Sequence, residues 1–186
     1  MKIYCINLDR RTDRWEESKA EFEKWNLNVE RFPAIDGGVA GAATAFNKSQ
    51  YAVLKKAVKL DKALILEDDV VFTNDFSSLI ECDLFALGAT VNKAKHDGKG
   101  YRYIDGWATQ AMVYNKKLMK WILDNFDPLC GTIYDEWLRV NVLPKFECYV
   151  AHPLIAWQRP SFSDIRNGYV DYVGMMRIGE ELIINR

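Results

Sequence analysis

Ala63-Leu64-Ile65-Leu66-Glu67-Asp68-Asp69 is a run of four apolar residues followed without a break by three carboxylates. A short apolar run with no alternation is the pattern of a strand covered on both faces, as in the sheets of α/β proteins. Three adjacent carboxylates repel one another, so a cation or a cationic side chain is required among them. In open α/β sheets ligands bind beyond the carboxyl ends of the strands. The triplet therefore marks a candidate site as well as a strand end; a solvated turn is the plainer alternative.

On the N-terminal side, residues 2–8 are short, β-branched and apolar and read as a buried strand. Thr12 is expected to cap a helix through Asn26, with Asp13, Glu16 and Glu17 against its N-terminal dipole and Trp15, Phe22 and Trp25 as its stripe. Residues 29–35 read as a second strand closing on Asp36-Gly37-Gly38, residues 38–44 as a loop, and residues 46–60 as a helix. On the C-terminal side, residues 83–87 read as a strand, 92–100 as a polar loop and 107–114 as a strand. Leu118, Trp121, Ile122 and Phe126 form a helical stripe over residues 116–126. A shorter helix is expected from Tyr134-Asp135-Glu136 to before Pro144, and residues 146–151 make a last strand; beyond Pro153 the pattern loosens. This alternation predicts an α/β fold with a mixed, mostly parallel central sheet flanked by helices. Three polar clusters fall at strand ends: residues 7–14, Asp36-Gly37 and residues 67–69.

The 186 residues fit one domain, and 25 basic against 26 acidic residues leave a net charge of −1. No general basic field is available, so nucleic acid is excluded as a partner, and a polyanionic ligand needs local arginines or a bound cation. Cys5, Cys82, Cys130 and Cys148 are too scattered for a disulfide scaffold or a zinc site, and reduced thiols are expected. The chain opens directly on a strand and has no apolar run of membrane-spanning length, which predicts a cytoplasmic protein and leaves room only for peripheral membrane contact. Oligomeric state is left open.

The hard oxygen ligands of Glu67-Asp68-Asp69 suit Mn²⁺ or Mg²⁺, usually through one or two carboxylates plus diphosphate oxygens. Arg10, Arg11 and Arg14 enter a helix N-terminus, where they could grip phosphate or simply pair with nearby Asp. His152, beside Pro153, could complete a metal site or be a structural residue; His96 lies in a Lys/Gly stretch and reads as exposed. Asp135-Glu136 could be a helix cap or supply a general base. Trp107 could present a sugar or belong to the core. The chain has no GxSxG, Walker, HExxH or GxGxxG pattern, which disfavours the corresponding hydrolases, kinases and oxidoreductases.

Taken together, three segments resemble glycosyltransferase family 25, the lipooligosaccharide and collagen galactosyltransferases. They are Ile6-Asn7-Leu8-Asp9-Arg10-Arg11-Thr12-Asp13-Arg14, Arg31-Phe32-Pro33-Ala34-Ile35-Asp36-Gly37 and Ala63-Leu64-Ile65-Leu66-Glu67-Asp68-Asp69-Val70. Weaker echoes are Thr109 to Tyr114, Asp135 with Leu138, and Gln158 with Ser163-Asp164-Ile165. Family members usually carry Ser-His after the Asp-Gly turn, where this chain has Ser49-Gln50. The resemblance implies a single GT-A-like (Rossmann-like) domain over residues 1–186, with the donor part about 1–90 and the acceptor part about 91–186. It implies a UDP-sugar donor, galactose before glucose, a glycan or hydroxyl-bearing acceptor, and inversion. Asn7, Arg10, Arg14 and Asp36 would hold the nucleotide. Glu67 and Asp69, with Asp68 assisting, would act as the DxD-like motif, and Asp135, with Glu136 as its neighbour, would be the base. By position in the fold alone, His152 would be the late metal ligand. A degenerate sugar-binding module and a metal-dependent phosphodiesterase are the alternatives.

Overall fold

The computed structural model describes residues 1–74, 76 and 79–184. A six-stranded sheet runs in the order β2 (Val29–Pro33), β1 (Lys2–Asn7), β3 (Lys62–Glu67), β6 (Tyr101–Asn115), β5 (Leu84–His96), β7 (Cys148–Val150). The decisive run lies in β3, between β1 and β6. Its side chains alternate between two core layers: Ala63 and Ile65 join Tyr4, Leu54 and Met112, whereas Leu64 and Leu66 join Cys5, Phe22 and Val113. The four are fully buried. Burial of each Leu or Ile contributes about 1.5–3 kcal/mol, so the run is held in register from both sides. Helices α2 (Gly38–Ala57), α3 (Lys116–Asn125) and α4 (Tyr134–Asn141) cover the first layer, and α1 (Thr12–Lys24) covers the second through Phe22.

The sheet is mixed, as expected, but parallel pairing does not dominate it. β1 pairs parallel with β2 and β3, and β5 with β7, while β3–β6, β5–β6 and β6–β7 are antiparallel. Residues 92–96, expected in a loop, are strand and lengthen the antiparallel β5–β6 pair; only residues 97–100 form the turn. β5 continues to His96 and turns tightly, Asp97 Oδ1 accepting from Lys99 N at 3.0 Å and Gly100 N at 3.2 Å. The polar composition there reflects a hairpin that projects into solvent rather than an absence of strand.

Residues 38–44 are likewise helical, forming the start of α2. The crowding is at the residue before them: a Cβ on Gly37 would stand 2.5 Å from Gly41 O and 2.8 Å from Ala45 Cβ, so the turn after β2 sits directly on the helix. Thr12 is the first residue of α1 rather than its cap; Arg11 precedes it and makes no side-chain cap bond. Past Pro153 the chain forms β8 (Ala156–Gln158), paired with β4 (Val70–Phe72), then a hairpin of β9 (Ser161–Ser163) and β10 (Gly168–Val170), and α5 (Val173–Ile184) against β5. Gln158, Trp157 and Ala156 pair with Val70, Val71 and Phe72, immediately after the acidic triplet. The four cysteines are free. Among the described residues no helix is long and apolar enough to cross a membrane.

Candidate active site

A cavity of about 850 Å³ opens at the carboxyl ends of β1, β2 and β3. It gathers the three polar clusters of the sequence: Asn7, Arg10 and Arg14, then Asp36 and Gly37, then Glu67, Asp68 and Asp69. Asp135 and Glu136 line it from α4, and the β9–β10 hairpin closes it with Asp164 and Arg166.

Asn7 is a bracket between strand ends and is buried. Its Nδ2 donates to Arg11 O at 3.0 Å and to Asp68 Oδ2 at 2.7 Å, and its Oδ1 accepts from Arg31 Nε at 2.8 Å. With donors and acceptor engaged, the amide is committed to the fold and its side chain is not available to read a base. Arg14 is also buried, one turn into α1. Its Nη2 stands 2.7 Å from Asp68 Oδ1 and 2.6 Å from Asp69 Oδ2. Arg14 is therefore the cationic side chain that the triplet requires, and it is not a free phosphate ligand.

The three carboxylates have different surroundings. Glu67 accepts from Thr109 Oγ1 at 2.5 Å, and burial together with the Asp69 charge pushes it up to about 8. Burial pushes Asp68 up to about 6, against the pull of Arg14 and the hydrogen bond from Asn7. Asp69 accepts from Gln158 Nε2 at 3.0 Å, but its Oδ1 is buried without a hydrogen-bond partner. An orphaned carboxylate oxygen on a cavity wall, with a second carboxylate two residues away, is the donor set that a hard divalent cation shares with diphosphate oxygens.

His152 is not part of this set. It follows β7 on the other edge of the sheet, its ring edge-on to Tyr101 with 5.0 Å between centroids, and it does not line the cavity. The expected trio of Asp69, Glu67 and His152 is thus not assembled, because β7 pairs with β5 and β6 far from β3. Among the described residues no group of three or more His, Cys, Asp and Glu is placed to hold a metal.

Arg10 and Asp36 meet, with Nε 2.7 Å from Asp36 Oδ2, and Asp36 Oδ1 accepts from Gly38 N at 2.9 Å. Arg10 Nη2 and Arg11 Nη1 also clamp Asp164, at 2.7 and 2.8 Å, which ties the β9–β10 hairpin to the β1–α1 turn. The third arginine on the cavity is one that sequence reasoning passed over. Arg166 bonds through Nε to Tyr172 OH at 3.0 Å, and among the described residues it has no carboxylate partner. The only trace of it in the sequence is its place directly after Ser163-Asp164-Ile165.

Asp135 and Glu136 are adjacent but divided in role. Glu136 is bound by Arg139 at 2.7 and 2.8 Å and accepts from Trp107 Nε1 at 2.7 Å; these bonds hold it down to about 2. Among the described residues Asp135 accepts from the following backbone N–H, at 2.7 Å, and burial raises it above the ordinary carboxylate range against the pull of the Arg166 charge. A helix turns about 100° per residue, so the two cannot serve one atom. Gln50, where the family resemblance departs, is buried in α2 and does not line the cavity. Its neighbour Ser49 accepts from Ile35 N at 2.9 Å and so braces the Asp36 turn.

No family model matches the sequence. A curated relative, a glycosyltransferase 25 family member of Anopheles gambiae, is 33% identical over 98 residues, covering 38% of this chain and 17% of that protein. The chain thus matches less than a fifth of that relative's length. Among solved structures, a glycosyltransferase involved in glycosylation of the major capsid of PBCV-1 aligns with a TM-score of 0.50 at 13% identity, covering 81% of this chain and 80% of that one. The galactosyltransferase LgtC, solved with donor and acceptor sugar analogues, aligns at a TM-score of 0.44 and 13% identity over 81% of this chain and 73% of that one. Over those 98 residues the sequence is similar to a glycosyltransferase 25 family member, and the fold is GT-A-like.

Proposed function

We propose that the chain is an inverting hexosyltransferase that moves galactose, or secondarily glucose, from a UDP-sugar to a hydroxyl of its acceptor. The observation that carries this reading is Asp135. It is a carboxylate without an ion-pair partner among the described residues, raised by burial, on the cavity that Glu67 and Asp69 also line. A general base needs that combination of freedom and reach.

The donor's nucleoside lies toward the turn of Ile35 and Asp36, and its diphosphate toward Arg166. Residues 1–90 supply most of the nucleotide side of one domain and residues 91–186 the acceptor side, with Arg166 reaching back to the diphosphate. Asp135 takes the proton of the acceptor hydroxyl as that oxygen attacks the anomeric carbon. The bond from that carbon to the UDP oxygen breaks on the opposite face, and UDP leaves with the electron pair. Arg166 offers charge-assisted hydrogen bonds to the departing diphosphate. Glu67 and Asp69 would hold Mn²⁺ or Mg²⁺, which when bound neutralises charge on the leaving group. Arg14 keeps Asp68 and Asp69 from repelling each other in the absence of donor.

The test is thermal stabilisation by UDP, UDP-galactose and UDP-glucose with and without Mn²⁺, followed by an assay of UDP release in the presence of acceptor sugars. Metal-dependent stabilisation by UDP-sugars with UDP release supports the reading. Stabilisation without turnover on any acceptor would instead support a sugar-nucleotide-binding module.

A further inference from the structure

Trp107 is the one exposed tryptophan of the six, at 38%, and it stands on the cavity wall. An irregular stretch of strand puts it there. Gly88 pairs with Ala111 and Thr90 with Trp107, so β5 advances by two residues while β6 advances by four. The surplus on β6 bends that strand locally, as bulges beside active sites do, and Trp107 and Thr109 both come to line the cavity. Gly106 allows the close approach, since a Cβ there would lie 2.3 Å from Thr90 O.

The indole is then fixed from two directions. Its Nε1 donates to Glu136 at 2.7 Å, and the Arg139 guanidinium lies over the ring with 5.1 Å to the centroid. Arg139 is itself held by Glu136 and by Asp105 at 2.9 Å, and Asp105 accepts from Asn92 at 3.0 Å. This is a large apolar surface, left partly in water, whose orientation is set by a network of charged groups. Arg139 and Asp105 are placed on it by α4 and β6 and do not themselves line the cavity. Holding an exposed indole this firmly gains the fold little, because the ion pairs are near the surface. It does gain a binding surface that needs no reordering when a ligand arrives.

We infer that Trp107 is the seat of the acceptor and that the acceptor is therefore a sugar ring, with Glu136 and Arg139 as positioning residues. The inference rests on the transferase reading of the same cavity. The C–H face of a pyranose covers an indole, while its hydroxyls point outward to polar groups. An isolated hydroxylated side chain of a peptide has no comparable flat face. Asp135 lines the same cavity as Trp107, so a ring lying on the indole shares that space with the base.

The experiment uses the whole chain and methyl α- and β-galactosides, methyl glucosides and lactose as probes, with a hydroxylysine peptide for comparison. The Trp107 indole N–H resonance is assigned by its loss in Trp107→Phe and followed during titration with each glycoside. Acceptor KM and kcat are measured with UDP-galactose for the parent, Trp107→Phe and Trp107→Ala. The expected result is a glycoside-dependent shift of the Trp107 resonance and an acceptor KM raised about tenfold or more in Trp107→Ala. Trp107→Phe keeps a ring face and should retain most of the affinity, and UDP affinity should be equal in all three. An unmoved resonance with every glycoside, unchanged KM in Trp107→Ala, or preference for the peptide overturns the inference. If the parent binds no UDP-sugar at all, the transferase reading itself fails, and that outcome is seen before any acceptor is added.

Discussion

Arg14 Nη2 stands 2.6 Å from Asp69 Oδ2, with both side chains buried. The same nitrogen reaches Asp68 Oδ1 at 2.7 Å, so a helix residue neutralises the end of the central strand. Arginines at this turn read from sequence as phosphate ligands or surface pairs, and an exposed Arg14 would be nearly neutral for stability. Burial reverses that expectation. Arg14→Ala leaves two carboxylates buried without their cation, which typically costs about 3–5 kcal/mol. Urea unfolding of the parent and variant measures it, and a loss below about 1 kcal/mol would mean the pair is not holding the strand end.

Arg166 carries the opposite expectation. It is exposed, and among the described residues its side chain bonds to a tyrosine hydroxyl, so Arg166→Ala should change stability by no more than about 0.5 kcal/mol. UDP binding should weaken by about 1.5–3 kcal/mol, the worth of a charge-assisted hydrogen bond. Arg10→Ala is the comparison, since Arg10 is already occupied by Asp36 and Asp164. Calorimetry with UDP on both variants decides between them. If Arg10→Ala loses affinity and Arg166→Ala does not, the diphosphate is held by Arg10 and not by Arg166.

Strand β3 and the site beyond it were legible because an apolar run ending in carboxylates admits few alternatives. The helix at Tyr134 and the stripe of α3 were legible for the same kind of reason: apolar spacing there is set by one buried face. Pairing partners were not. Whether Asp68 meets a metal or Arg14 depends on how α1 docks, which no local pattern encodes. The inner halves of β5 and β6 were read as strands, but the outer half of the hairpin escaped because its tip is polar and its register is broken between Gly88 and Thr90. His152 was placed near the metal by its order in the chain, but β7 joins the sheet at the far edge. Arg166 sits in a hairpin of short strands whose periodicity is too brief to read.

Gly37 tests the coupling between the Asp36 turn and α2. Its φ of −106° suits any residue, so the requirement is space alone. Gly37→Ala puts a methyl 2.5 Å from Gly41 O, against helix backbone that cannot swing away. Overpacking of this kind costs about 1–3 kcal/mol. The shift should also move Asp36, lowering UDP affinity more than Tm alone explains. Equal UDP affinity in a destabilised variant would separate the turn from the nucleotide.

Asp135 makes the sharpest forecast, because stability and activity should move in opposite directions. Burial raises its folded pKa above the unfolded value, so the folded state holds this proton more tightly. Its favourable contribution is therefore greatest below the unfolded pKa and is lost as pH rises through the folded one, leaving the ionised group a burden at neutral pH. Asp135→Asn removes that burden while keeping an oxygen to accept from Glu136 N, so Tm at pH 7 should hold or rise. Transfer should fall roughly 10²–10⁴-fold with UDP affinity unchanged. In the parent, the acidic limb of kcat/KM should lie above the ordinary carboxylate range and should disappear in the variant. Glu136→Gln behaves differently: its carboxylate, held down to about 2, contributes stability above the unfolded carboxylate pKa that is lost as pH falls toward 2. That variant should lose this acid-side stability and some acceptor affinity through Trp107, and keep the pH limb. Single-turnover rates with saturating donor across pH distinguish the two. Should Glu136→Gln abolish the limb while Asp135→Asn preserves it, the base is the neighbour that Arg139 holds, and the free carboxylate is not the catalyst.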